Sequence, residues 1–125
     1  MDNPNGRVVC IVDDDASLRR SLSNLLTSVG FRVRTFESAE AFLESADRDS
    51  IGCIVLDVRM AGMTGLELLT HLAATGSRIP VIMLTAHADE EMLRRSLEAG
   101  AFAFLEKPVR TPALLDAIRR ALAST

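Results

Sequence analysis

Residues 53–65, Cys53-Ile54-Val55-Leu56-Asp57-Val58-Arg59-Met60-Ala61-Gly62-Met63-Thr64-Gly65, read as an apolar strand that ends on a carboxylate and opens into a glycine-containing loop. An apolar run without polar alternation is the pattern of a strand covered on both faces, as in a parallel sheet. Asp57 therefore stands where a buried strand emerges. Other runs close in the same way: Val8-Val9-Cys10-Ile11-Val12 into Asp13-Asp14-Asp15, Val81-Ile82-Met83-Leu84 into Thr85-Ala86, and Phe102-Ala103-Phe104-Leu105 into Glu106-Lys107-Pro108.

Between these runs lie segments with helical spacing. Leu18, Leu22, Leu25, Leu26 and Val29, stopped by Gly30, predict a helix over 16–29. Residues 31–36 carry Arg32 and Arg34, which suits an edge strand, and Ser38 is placed to cap a helix containing Ala41, Phe42 and Leu43. Leu66, Leu69, Leu72 and Ala73 define a third helix ended by Gly76, while Thr111-Pro112 starts a last one burying Leu114, Leu115, Ile118 and Leu122. Over 89–100, Leu93 and Leu97 give only a narrow apolar stripe, so that helix is expected to be weakly anchored and a candidate for movement or partner binding. The alternation predicts a parallel sheet with helices on both faces, and the commonest five-stranded arrangement of that kind is the flavodoxin-like (βα)5 three-layer sandwich of strand order 2-1-3-4-5.

The 125 residues suit one domain, large enough to bury roughly two thirds of its unfolded surface. Residues 1–6 read as a flexible polar tail and 7–125 as the folded domain. The net charge of −3 comes from interspersed acids and bases, so no basic stripe directs this domain to nucleic acid. No apolar stretch reaches the roughly 20 residues of a membrane span, and the start lacks a charged and apolar leader; no membrane contact and a cytoplasmic location are expected. Cys10 and Cys53 fall inside apolar runs and are expected to be core filler rather than a disulfide.

In an open parallel sheet the strand C-termini share one edge, and strands one and three meet at the switch point, so Asp13, Asp14 and Asp57 are expected to crowd together. Such carboxylates repel unless a cation sits among them, and all-oxygen ligation suits Mg²⁺. Taken alone, the triplet Asp13-Asp14-Asp15 reads equally well as a helix cap or solvated turn, Thr85 as a cap and Lys107 as a solvated loop residue. Together they describe a crevice in which Asp57 could attack phosphorus, with Thr85 and Lys107 binding phosphoryl oxygens.

These residues resemble the receiver domains of two-component response regulators. The resemblance rests on Ile11-Val12-Asp13-Asp14-Asp15, Val55-Leu56-Asp57-Val58-Arg59-Met60 through Gly65, Leu84-Thr85-Ala86 and Phe104-Leu105-Glu106-Lys107-Pro108, and covers nearly the whole chain. Ser38-Ala39-Glu40-Ala41-Phe42-Leu43 and Thr85-Ala86-His87 look most like receivers of nitrogen-fixation-type transcriptional regulators of the LuxR output class, which carry a C-terminal helix-turn-helix domain. The resemblance implies that Asp57 accepts a phosphoryl group from a sensor histidine kinase. It implies that Asp14, Asp57 and the Arg59 carbonyl hold Mg²⁺, or Mn²⁺ in its place, with Asp13 assisting through water. Thr85 and Phe104 would form the switch, Arg59 and His87 would set the lifetime of the acyl phosphate, and the Lys107-Pro108 bond is expected to be cis. Homodimerisation on phosphorylation would use residues 89–123, where Arg94, Arg95 and Glu98 suit a salt-sensitive contact. One departure is Ala61, where receivers commonly have proline; a looser loop is expected there.

Two other readings compete. A phosphorylation-independent receiver-like interaction module would keep the fold but usually loses some of Asp13, Asp14, Asp57, Thr85 and Lys107. A phosphatase with an aspartyl-phosphate intermediate would need a cap over the site, for which the chain leaves no residues. The chain is therefore expected to be a phosphoacceptor switch, with self-catalysed transfer and slow autodephosphorylation only, and to be part of a longer regulator with a DNA-binding output domain in cis.

Overall fold

Five extended runs become the parallel strands β1 (Val8–Val12), β2 (Arg32–Phe36), β3 (Ile51–Asp57), β4 (Val81–Thr85) and β5 (Ala103–Glu106), ordered β2-β1-β3-β4-β5. The computed structural model describes residues 7–45, 47–87 and 89–124; the expected tail, 1–6, lies outside them. Helices α1 (Ala16–Ser28), α2 (Ala39–Ser45), α3 (Gly65–Ala74), α4 (Glu90–Glu98) and α5 (Thr111–Ala123) make the connections, with a 3₁₀ turn at Arg48–Ser50. The architecture is the flavodoxin-like one expected from the alternation.

All of β1, β3 and β4 is buried, because both faces of the sheet are covered. On one face Val9, Ile11, Cys53, Val55, Ile82 and Leu84 pack with Leu22 and Leu26 of α1 and with Leu114, Ile118 and Leu122 of α5. On the other, Cys10, Val12, Ile54, Leu56 and Met83 meet Phe42 of α2 and Leu68, Leu69 and Leu72 of α3. Successive strand residues thus feed opposite layers. Each large buried side chain contributes enough that truncation to Ala would cost about 2–5 kcal/mol. Cys10 and Cys53 lie in opposite layers as free thiols, each pushed up to about 12 chiefly by burial.

The helix starts follow side-chain capping. Asp15 Oδ1 accepts from Leu18 N at 3.2 Å, Ser38 Oγ from Ala41 N at 3.0 Å, and Thr64 forms a reciprocal capping box with Glu67. Pro112 sits in the first turn of α5, where its missing N–H leaves no bond broken.

Two helices sit differently from the sequence reading. In α3 the buried line is Gly65, Leu68, Leu69 and Leu72, so Leu68 belongs to the core while Ala73 is exposed. In α4 Leu93 and Leu97 are 38% and 52% exposed, and Met92, Ser96 and Ala99 face inward instead. Neighbouring helical residues lie about 100° apart, so a one-residue offset turns a stripe from core to solvent. The small Ser96 and Ala99 let α4 approach the sheet and leave its leucines outside.

Candidate functional site

The register brings the strand ends level: Val12 pairs with Leu56, Asp57 with Leu84, and Thr85 with Glu106. Asp13, Asp57, Thr85 and Lys107 therefore leave the sheet along one edge, at the switch point between β1 and β3. Asp13, Asp57 and Thr85 are buried, Asp14 is exposed, and Lys107 is half-buried.

One carboxylate oxygen from each of Asp13, Asp14 and Asp57 lies within 4.8 Å of the others. The Lys107 ammonium reaches into this group, 3.1 Å from Asp13 Oδ2 and 3.4 Å from Asp57 Oδ1. Burial, and then the Asp13 charge, hold the Asp57 carboxyl above its ordinary range, against the opposing pull of Lys107 and of the Arg59 N–H. Burial works against the Lys107 ammonium, but hydrogen bonding and charge from Asp13, then from Asp57, outweigh it and raise its pKa. Two of the three grouped carboxylates, Asp13 and Asp57, share one ammonium. A hard oxygen set with surplus negative charge fits a divalent cation such as Mg²⁺.

The surroundings hold these groups in place. Arg19 Nη1 donates to the Asp13 carbonyl at 2.7 Å, Asp15 N–H to Asp13 Oδ1 at 2.9 Å, and Arg59 N–H to Asp57 Oδ1 at 3.4 Å. Gly65 is required by close approach: a Cβ there would stand 2.0 Å from the Asp57 carbonyl oxygen. The Gly65 N–H closes the β3–α3 loop on the Val58 carbonyl at 2.9 Å.

Thr85 is at the expected edge, but its hydroxyl is engaged with its own loop, donating to the His87 carbonyl and accepting from the His87 N–H, both at 3.2 Å. His87 and Arg59 are exposed beside the crevice. Phe104 is partly buried against the layer that includes Met92 and Ala99. The Lys107–Pro108 peptide bond is cis.

Two contacts were not legible in the sequence. The Ala61 N–H donates to Asp14 Oδ2 at 3.3 Å, so the position expected only to loosen the loop supplies a donor that proline lacks. Glu40 Oε2 accepts from the Met63 N–H at 3.0 Å. Both partners are distant in sequence, Asp14 on the β1–α1 loop and Glu40 on α2, and only the fold brings them to this loop.

The fold is a small doubly wound α/β domain with an acidic crevice, entered by one ammonium, that could hold a hard cation. Residues 9–119 match the family described as the response regulator receiver domain. The transcriptional regulatory protein TdiR of Thauera aromatica is 47% identical over 119 residues, 95% of this chain and 52% of that protein. The response regulator StyR superposes with TM-score 0.88 at 48% identity, over 94% of this chain and 60% of that one. The crystal structure of FixJ-N gives TM-score 0.86 at 40% identity, covering 95% of each. The chain belongs to the response regulator receiver domain family, whose general function is phosphorylation-based switching. It spans about half the length of curated relatives it matches, 52%, 54% and 49% in three of them.

Among the described residues no helix is long and apolar enough to cross a membrane.

Proposed function

We propose that Asp57 is the phosphoacceptor and that its phosphorylation by a sensor histidine kinase switches the surface of residues 89–123. The observation that carries this reading is the buried Asp57 carboxylate, 3.4 Å from the Lys107 ammonium and grouped with Asp13 and Asp14. An Asp57 oxygen attacks the phosphorus of the kinase phosphohistidine; the P–O bond forms as the P–N bond breaks, and the imidazole leaves with the electron pair. Asp13, Asp14, Asp57 and the Arg59 carbonyl would hold Mg²⁺, or Mn²⁺ in its place. When bound, the cation offsets charge on the phosphoryl oxygens.

Lys107 then pairs with a phosphoryl oxygen instead of the Asp57 carboxylate. Thr85 must give up the His87 backbone to donate to the phosphoryl group, and Phe104 turns inward beside it. A few kcal/mol of new charge-assisted contacts suffices to bias such a two-state element. Arg59 and His87, exposed at the crevice mouth, set the rate of acyl-phosphate hydrolysis.

The output surface is α4–β5–α5. Leu93, Leu97 and Phe102 are the large apolar side chains exposed there, at 38%, 52% and 40%, which suits homodimerisation. Arg94 is tied within α4 to Glu91 and Glu98, leaving Arg95 as the more available cation for a salt-sensitive contact. Residues 7–125 act as the receiver of a longer cytoplasmic regulator whose output domain contacts DNA, as the lengths of the relatives support.

Intact mass after incubation with acetyl phosphate tests the reading. One added phosphoryl group that needs Mg²⁺ and is absent from Asp57→Asn is expected. No gain in a folded, Mg²⁺-binding chain would favour a phosphorylation-independent interaction module.

A further inference from the structure

Resting on the reading of Asp14 and Arg59 as cation ligands, we propose that Glu40 of α2 is a positioning residue for the metal site, acting through the β3–α3 loop. Besides the Thr64 N–H, which the α3 capping box takes, the backbone over residues 61–65 is held at three N–H groups: Ala61 to Asp14 Oδ2 at 3.3 Å, Met63 to Glu40 Oε2 at 3.0 Å, and Gly65 to the Val58 carbonyl at 2.9 Å. The last closes the loop on itself. The other two reach 47 and 23 residues along the chain.

The Glu40 carboxylate packs against Gly62 of the loop. Gly62 between the two donors has φ +77°, and a Cβ there would stand 2.7 Å from Glu40 Oε2. Glycine thus serves both the left-handed turn and the approach of the carboxylate. The Met63 N–H holds the exposed Glu40 carboxyl below its ordinary range, as a charge-assisted bond should.

The two contacts are mechanically linked, because only Gly62 separates Ala61 from Met63. Releasing Met63 frees Ala61 to leave Asp14, and with it the orientation of a ligand carboxylate and of the segment carrying the Arg59 carbonyl. A loop left unordered must be ordered when the cation binds, which lowers affinity. The use of a non-proline residue at 61 makes this coupling possible, since proline has no N–H to give Asp14.

The test is calorimetric titration of Mg²⁺ into the wild-type chain, Glu40→Ala and Glu40→Gln, with amide hydrogen exchange at Ala61 and Met63 in metal-free buffer. Loss of the acceptor in Glu40→Ala is expected to weaken Mg²⁺ about tenfold and to speed exchange at both amides. Glu40→Gln keeps an acceptor oxygen and is expected to restore affinity to within about threefold. A purely structural role would lower the metal-free thermal midpoint equally in both variants without separating their Mg²⁺ affinities. Wild-type-like Mg²⁺ binding by Glu40→Ala overturns the inference, as does equal weakening in Glu40→Gln. Absence of Mg²⁺ binding by the wild type would instead overturn the reading of the site, and this inference with it.

Discussion

The Lys107 ammonium stands 3.4 Å from Asp57 Oδ1 and leaves that carboxyl only partly compensated, because Asp13 claims the same cation at 3.1 Å. Burial and the Asp13 charge win, so the folded chain binds the Asp57 proton more tightly than the unfolded chain does. Stability from this group is therefore full below the unfolded carboxylate range and is lost as pH rises through the raised folded value. Asp57→Asn is predicted to raise Tm by roughly 4 °C at pH 7 in metal-free buffer, about 1 kcal/mol, and the gain should vanish near pH 4. Thermal melts across that range check both the sign and the window.

Lys107 follows the same sign in a higher pH window. Its pKa is raised on folding, so its contribution is present below the unfolded lysine range and is lost only as pH climbs past it. Lys107→Met leaves three carboxylates together without their ammonium and should cost about 2 kcal/mol in metal-free buffer. Mg²⁺ should recover more stability in this variant than in the wild type, since the added cation replaces the missing one. Urea unfolding with and without Mg²⁺ measures the difference.

Gly65→Ala is predicted to be the most damaging single-methyl change near the site. The added Cβ would meet backbone 2.0 Å away, at the Asp57 carbonyl oxygen, where no flexible side chain can yield. A loss of about 3 kcal/mol is expected from chemical denaturation, with β3 displaced.

Ser96 Oγ is buried on α4 and, among the described residues, is the one buried side-chain polar atom without a hydrogen-bond partner. Ser96→Ala removes that penalty and favours the helix, so it should stabilise the chain by about 1–2 kcal/mol. The urea midpoint should rise with an unchanged slope.

How far the sequence reached can be seen at particular residues. The continuous apolar runs 8–12, 53–56 and 81–84 all fall inside buried strands, though β3 extends to Ile51–Asp57 and β4 to Thr85, because burial on both faces leaves no room for polar alternation. Asp13, Asp57 and Lys107 were legible because topology alone carries strand ends to one edge. Leu93 and Leu97 misled about the orientation of α4, since a marginal stripe does not fix which side of a helix meets the sheet. Glu40 and the Ala61 N–H were invisible for a different reason: they act through backbone donors, and a donor has no sequence signature. The engagement of the Thr85 hydroxyl with His87 is likewise a property of the folded loop.

Leu97, 52% exposed on α4, offers a test of output that leaves the acceptor untouched. Leu97→Glu should cost no more than about 1 kcal/mol, because half of the residue is already exposed. Sedimentation of the phosphorylated chain is expected to show dimers for the wild type and monomers for Leu97→Glu, at equal phosphoryl content.

The central claim is that Asp57 carries the phosphoryl group. Its most direct test is borohydride reduction of the acetyl-phosphate-treated chain, which converts an acyl phosphate to an alcohol, followed by peptide mass mapping. Homoserine at position 57, formed only with Mg²⁺ present, is the predicted result; conversion at Asp13, Asp14 or another carboxylate, with residue 57 unchanged, would contradict it.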